Sequence, residues 1–143
     1  MEYLIILLIF PFFFSAFWAL AVFIVSRMGW SHMAKQFKVE RSFDGTKIGI
    51  VSAWVNLGNY RSSIILKYNE KGMHLEPIIV FRIFHPALFI PWKEIKEVRA
   101  KNILFMQYSE LIVGDPMIGR IRLKSSTFNQ LKFAYDQVKA TTS

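Results

Sequence analysis

The chain has 143 residues, 18 Lys+Arg against 10 Asp+Glu for a formal charge of +8, no cysteine, and 53% apolar residues, 14 of them Phe. A chain of this length accommodates one compact domain with an appendage and excludes a multidomain enzyme. Without cysteine there is no disulfide framework, no thiolate metal site and no cysteine nucleophile. The apolar excess lies at the N-terminus and the charge lies after it.

From Tyr3 to Val25 the only ionisable side chain is the Tyr3 phenol, and Ser15 is the only short polar residue. As a helix this run spans about 34 Å, enough to cross a hydrocarbon core of about 30 Å with some tilt. A signal peptide begins with basic residues and has a shorter apolar core, whereas this chain begins Met1-Glu2-Tyr3. The reading is an uncleaved anchor. Glu2 precedes it, and Arg27, Lys35, Lys38 and Arg41 follow it, which predicts a single pass through a cell (inner) membrane with the N-terminus outside and the C-terminal domain cytoplasmic. Trp30 suits the headgroup layer. Pro11 is expected to kink the helix locally. Ser15 and Ala19 form a small-residue pair of the kind that lets helices approach in lipid.

Trp30, Met33, Ala34 and Phe37 fall at i, i+3, i+4 and i+7, a one-sided apolar stripe that either packs on the following domain or lies along the headgroups. The segment Glu40-Arg41-Ser42-Phe43-Asp44-Gly45-Thr46 is polar and turn-forming. These features set boundaries of 1–27 for the anchor, 28–46 for an amphipathic connector and 47–143 for a cytoplasmic domain.

The domain reads as strands closed by one helix. Ile48 to Val55 and Arg61 to Tyr68 are separated by the loop Asn56-Leu57-Gly58-Asn59. After the turn Asn69-Glu70-Lys71-Gly72, a strand is expected from Met73 to Val80, with Pro77 marking an edge or bulge. Ala87 to Ile90, Ile95 to Lys101, Ile103 to Val113 and Ile118 to Lys124 follow, with a corner at Pro91-Trp92-Lys93-Glu94 and a turn at Gly114-Asp115-Pro116. In the last strand Ile121 and Leu123 alternate with Arg120, Arg122 and Lys124, which gives one wet face. Phe128, Leu131, Tyr135 and Val138 then share one face of an amphipathic helix, with Ser126 or Thr127 as N-cap.

The fold class expected is α+β and membrane-anchored, one transmembrane helix followed by a partly open barrel of about seven strands capped by a C-terminal α-helix. The segment Phe89-Ile90-Pro91-Trp92-Lys93-Glu94-Ile95, after the Lys71-Gly72-Met73-His74-Leu75 hairpin, resembles the strand and W-x-E-I corner of bacterial pleckstrin-homology-like and GRAM-like domains. The resemblance covers roughly Ile48 to Lys139. The Gly29-Trp30 connector after an N-terminal anchor is likewise similar to small bacterial membrane proteins carrying this domain. Phosphoinositide-binding members of that family have a dense basic cluster on the first hairpin. Here that region holds only Arg61 and Lys67.

No metal site is expected, because His32, His74 and His85 are neither at i, i+4 nor among carboxylates. Nucleophile-elbow, Walker and dinucleotide-loop motifs are absent, and Glu94 and Glu97 alternate with Lys93, Lys96 and Arg99 like a solvated edge. No cofactor and no catalysis are expected. All eighteen basic residues follow the span, against nine of the ten acidic ones. A tethered domain without basic–aromatic interleaving at one place argues against nucleic acid. Two functions remain. One is an accessory or adaptor protein that docks onto another membrane protein or complex, with contacts at Ser15, Ala19, Trp30, Phe37 and Trp92. The other is a sensor of anionic lipid headgroups beside its own anchor in the bilayer, with contacts at Arg27, Lys35, Lys38, Arg61 and Lys67.

Overall fold

A computed structural model describes residues 1–39 and 43–142. Helix α1, Glu2–Val25, continues through Pro11, and of its residues only Val22 is buried. Its mean hydropathy reaches 2.5, and it is long and apolar enough to cross a membrane. Arg41 and the start of the polar turn, 40–42, lie outside the described residues.

The helical path breaks over Ser26–Trp30 and resumes as α2, Ser31–Phe37. Gly29 is the reason the break can sit here. A Cβ on it would stand 2.6 Å from the carbonyl oxygen of Val55 and collide with the Asn56 side chain. The connector therefore presses directly against the first hairpin of the domain. Trp30, Met33 and Phe37 are buried in the core, so the apolar stripe packs on the domain. This corrects the headgroup-layer expectation for Trp30. Its indole N–H donates to the Pro86 carbonyl at 2.8 Å, and its ring meets Tyr60 and His85 edge-on at 5.2 and 5.4 Å.

Seven strands follow: β1 Thr46–Val55, β2 Gly58–Tyr68, β3 Gly72–Pro77, β4 Leu88–Pro91, β5 Ile95–Ile103, β6 Met106–Val113 and β7 Gly119–Lys124. They form one antiparallel sheet in the order β4-β3-β2-β1-β7-β6-β5, a curled half-barrel whose edges β4 and β5 do not pair. Alternate residues such as Ala53, Val55, Ile64, Leu66, Leu111, Ile121 and Leu123 fill the interior. Burial of each large apolar side chain stabilises the fold by about 1.5–3 kcal/mol.

Three boundaries differ from the sequence reading. The first loop is only Asn56-Leu57, because Asn56 accepts a left-handed φ of 54° and lets Val55 pair directly with Gly58. The third strand ends at Pro77, where the missing N–H stops the ladder, and 79–84 becomes a short 3₁₀ helix rather than further strand. β5 runs on to Ile103, which pairs with Met106, and the left-handed Leu104-Phe105 form a hairpin tip where the sequence reading began the next strand at Ile103.

The C-terminal cap is two helices, α3 Ser125–Asn129 and α4 Lys132–Thr142, where one was expected. Neither Ser126 nor Thr127 is the N-cap. The helix starts as soon as β7 ends, Lys124 holds the cap position without a side-chain hydrogen bond, and Ser125 Oγ instead lies 3.2 Å from Ser109 Oγ. Phe128 and Leu131 are buried, and Tyr135 packs edge-on against both Trp92 and Phe128 at 6.1 and 5.9 Å.

Candidate functional site

Strand register lines up one transverse row on the sheet face opposite the core. Trp54 on β1 stands beside Arg122 on β7, Arg122 beside Glu110 on β6, and Glu110 beside Arg99 on β5. Arg122 Nη2 bonds Glu110 Oε2 at 3.0 Å, and its guanidinium carbon lies 5.6 Å from the Trp54 ring centroid. Arg120 Nη1 approaches Glu110 Oε1 at 3.8 Å. Burial alone would raise the Glu110 pKa. The Arg122 hydrogen bond and the charges of Lys101, Arg122 and Arg120 outweigh it and hold the carboxyl below its ordinary value.

Trp54, Arg122 and Glu110 of this row form one wall of a cleft of about 720 Å³, and the segment that leaves α1 forms another, with Arg27, Gly29 and His32. Asn56 fixes the two walls together. Its Nδ2 donates to the Gly29 carbonyl at 3.2 Å, while its Oδ1 accepts from the Arg120 backbone N–H at 2.8 Å. Three guanidinium groups thus share a cleft with one carboxylate at the foot of the apolar helix. Glu110 Oε1 and Arg122 Nε are buried without a hydrogen-bond partner among the described residues. The cleft presents guanidinium donors for a phosphate.

Of the five basic residues expected to meet headgroups, only Arg27 lines this cleft. Lys35 and Lys38 are exposed on and just after α2, while Arg61 is exposed and Lys67 half-buried on β2. Of the five expected partner contacts, Ser15 is exposed and Ala19 partly exposed on α1. Trp30, Phe37 and Trp92 are core residues, which withdraws them as surface contacts. Trp92 is held there by its indole N–H, which donates to the Asn69 carbonyl at 2.9 Å. Arg120 and Arg122 were visible as a wet strand face. Glu110 was not singled out, because a lone carboxylate in an apolar strand gains meaning only from the register opposite Arg122.

The histidines are dispersed. His32 is exposed at the cleft, and the buried His74 ring stacks on Phe43 at 4.9 Å. His85 Nε2 lies 2.8 Å from Tyr60 Oη, which also stands 3.4 Å from the Val25 carbonyl at the end of α1. Burial pushes the His85 pKa down to about 4 and the Tyr60 pKa up. Among the described residues no group of three or more His, Asp or Glu is placed to hold a metal ion. No protein-family model matches the chain, and no curated protein matches it.

Proposed function

We propose that the chain is a non-catalytic, single-pass membrane protein whose pleckstrin-homology-like domain lies on the cytoplasmic side and binds an anionic phospholipid headgroup beside its own anchor. The observation that carries this is the shared cleft, where Arg27 from the foot of α1 joins Arg120 and Arg122 from β7. Guanidinium groups bind phosphate through paired, charge-assisted hydrogen bonds. Basic groups near an anionic leaflet also gain about 1 kcal/mol each. Orientation follows from the basic residues after α1. The family assignment is supported by the strand order, by the C-terminal helical cap and by the W-x-E-I corner at Trp92.

The test is purification of the full chain in mild detergent, with native mass spectrometry of what it retains. Retention of an anionic phospholipid such as phosphatidylglycerol in preference to phosphatidylcholine is expected. Arg27→Gln combined with Arg120→Gln should lower it several-fold. Equal retention of both lipids, unchanged in the double variant, would remove the proposal.

A second reading, an accessory protein docked on a membrane partner, is favoured by the β5–β6 tip. Leu104 and Phe105 are 87% and 106% exposed there. The small pair Ser15 and Ala19 supplies a further contact surface on α1. A stoichiometric protein that survives extraction would carry that reading.

A further inference from the structure

After Pro77 the chain leaves the sheet, forms the 3₁₀ helix Ile79–Phe84 and rejoins the sheet at Leu88. This excursion packs along the last third of α1. The Trp18 indole N–H donates to the Val80 carbonyl at 3.3 Å, and the Trp18 and Phe81 rings lie 5.6 Å apart. Nearer the end of α1, Phe84 meets Phe23 edge-on at 5.2 Å, and Ser26 Oγ donates to the Phe84 carbonyl at 2.8 Å.

These contacts fix a depth. At 1.5 Å per residue α1 is about 36 Å long, and centring it in a hydrocarbon layer of about 30 Å puts Trp18 roughly 8 Å inside the boundary. By the same measure Phe23 lies at the boundary, so a segment that touches both Trp18 and Phe23 from the side runs from the boundary to about that depth. The excursion is chemically equipped for it. Ile79 and Ile83, four apart, are 76% and 64% exposed, and Val80 is exposed beside them. Its one charge, Arg82, folds back to pair with Glu76 at 3.1 Å and to donate to the Pro77 carbonyl at 3.1 Å.

Backbone groups in hydrocarbon need partners inside the protein. Here the Val80 and Phe84 carbonyls are met by Trp18 and Ser26. The N–H groups of Ile78, Phe81 and His85 donate to the carbonyls of Ser63, Ile78 and Arg82. In water the same surface would be a patch of uncovered aliphatic side chains on a loop.

We infer that Ile79–Phe84 is a second membrane contact, a wedge immersed in the acyl chains of the leaflet on the domain's side and seated against α1. A single helix leaves a tethered domain free to swivel. Two contacts held together at Trp18 and Phe23 set its tilt and depth. The inference rests on α1 spanning the bilayer.

The native chain lacks cysteine, so single-cysteine variants of the full chain can each carry one nitroxide label. The variants are Ile79→Cys, Ile83→Cys, Phe13→Cys on α1 and Lys93→Cys on the exposed corner, in vesicles of phosphatidylglycerol and phosphatidylcholine. Collision with oxygen, which concentrates in acyl chains, is compared with collision with a water-soluble nickel chelate. Labels at 79 and 83 are expected to favour oxygen several-fold, as the label at 13 does, with the opposite preference at 93. Preference for nickel at 79 and 83 overturns the wedge. Shielding there from both reagents also overturns it, since protein then covers the surface. A label at 13 that favours nickel removes the span itself, and the wedge with it.

Discussion

Glu110 and Arg122 face each other across β6 and β7 in a 3.0 Å ion pair whose Glu110 side chain is 1% exposed and whose Arg122 side chain is 25% exposed. A buried pair contributes little over an apolar replacement, but removal of Arg122 takes the hydrogen bond from a buried carboxylate and leaves it Arg120 at 3.8 Å. Arg122→Met should therefore cost about 1.5–3 kcal/mol, a sizeable share of a domain stability of about 5–15 kcal/mol. The double variant Arg122→Met with Glu110→Met should regain most of that loss. Denaturant unfolding of the full chain in detergent checks both.

Acid should weaken the junction between anchor and barrel. His85 is neutral in the folded chain, with a pKa of about 4, and ordinary at 6.5 in the unfolded chain. Between those values the unfolded chain binds more protons, so stability is full above pH 6.5 and falls as pH drops toward about 4. The loss is roughly 3 kcal/mol once both states are protonated. His74, lowered chiefly by burial, acts in the same direction. Glu110, held low, loses its contribution only as pH falls through its folded value, below the ordinary carboxylate range. His85→Gln should flatten the melting temperature between pH 6.5 and 4, while losing about 1 kcal/mol at neutral pH with the Tyr60 hydrogen bond. An unchanged slope in the variant would show that other groups carry the acid response.

Gly29→Ala should loosen the same junction by steric means. The added methyl has no room against the Val55 carbonyl and Asn56, both parts of a tight turn, so the connector must move away. A loss of about 1–3 kcal/mol is expected, the range for overpacking. Asn56→Asp keeps the acceptor for the Arg120 N–H but loses the donor to the Gly29 carbonyl, and should cost less, about 1 kcal/mol. Hydrogen exchange of the amides in 26–37 reads the loosening directly.

An unbroken apolar run of spanning length made helix α1 legible, and spacing made the strands and the apolar connector stripe legible, because each of those buries one face at a fixed period. Burial of Trp30 and Trp92 was legible only as one of two readings. An indole suits an interface and a core equally, and only the Pro86 and Asn69 carbonyls decide for the core. The excursion after Pro77 was misread as strand because Ile78-Ile79-Val80-Phe81 is apolar without alternation, and such a run does not declare whether sheet or lipid covers it. The cleft is the least visible feature. Arg27, Glu110 and Arg122 are far apart in the chain, and they meet only through the β6–β7 register and the Asn56 clamp.

Removal of residues 125–143 should unfold the domain. It would uncover Trp92 and the barrel end, and would take away buried Phe128 and Leu131 with part of Tyr135 and Val138. At about 1.5–3 kcal/mol for each large side chain fully buried, that approaches the whole stability of a domain. A cooperative melt at the original temperature in the truncated chain would show that α3 and α4 are not core elements.

The β5–β6 tip yields a prediction in which stability and recognition move in opposite directions. Leu104 and Phe105 hold φ of 49° and 67°, the left-handed pair that a two-residue hairpin turn demands and that Asn-Gly supplies without strain. A bulky L-residue there costs roughly 1–2 kcal/mol. Both side chains extend into solvent, so no packing in the chain offsets that cost. Leu104→Asn with Phe105→Gly should therefore raise stability by about 1–3 kcal/mol, and thermal melting in detergent reads the gain. If the tip is a docking element, the stabilised variant should lose the protein that copurifies with the native chain from its own membranes. It should still retain anionic lipid, because the tip is remote from Arg27, Arg120 and Arg122 along β6 and β7. A stabilised variant that keeps the same copurifying protein would place docking elsewhere. A variant less stable than the native chain would show that Leu104 and Phe105 pack against the protein itself.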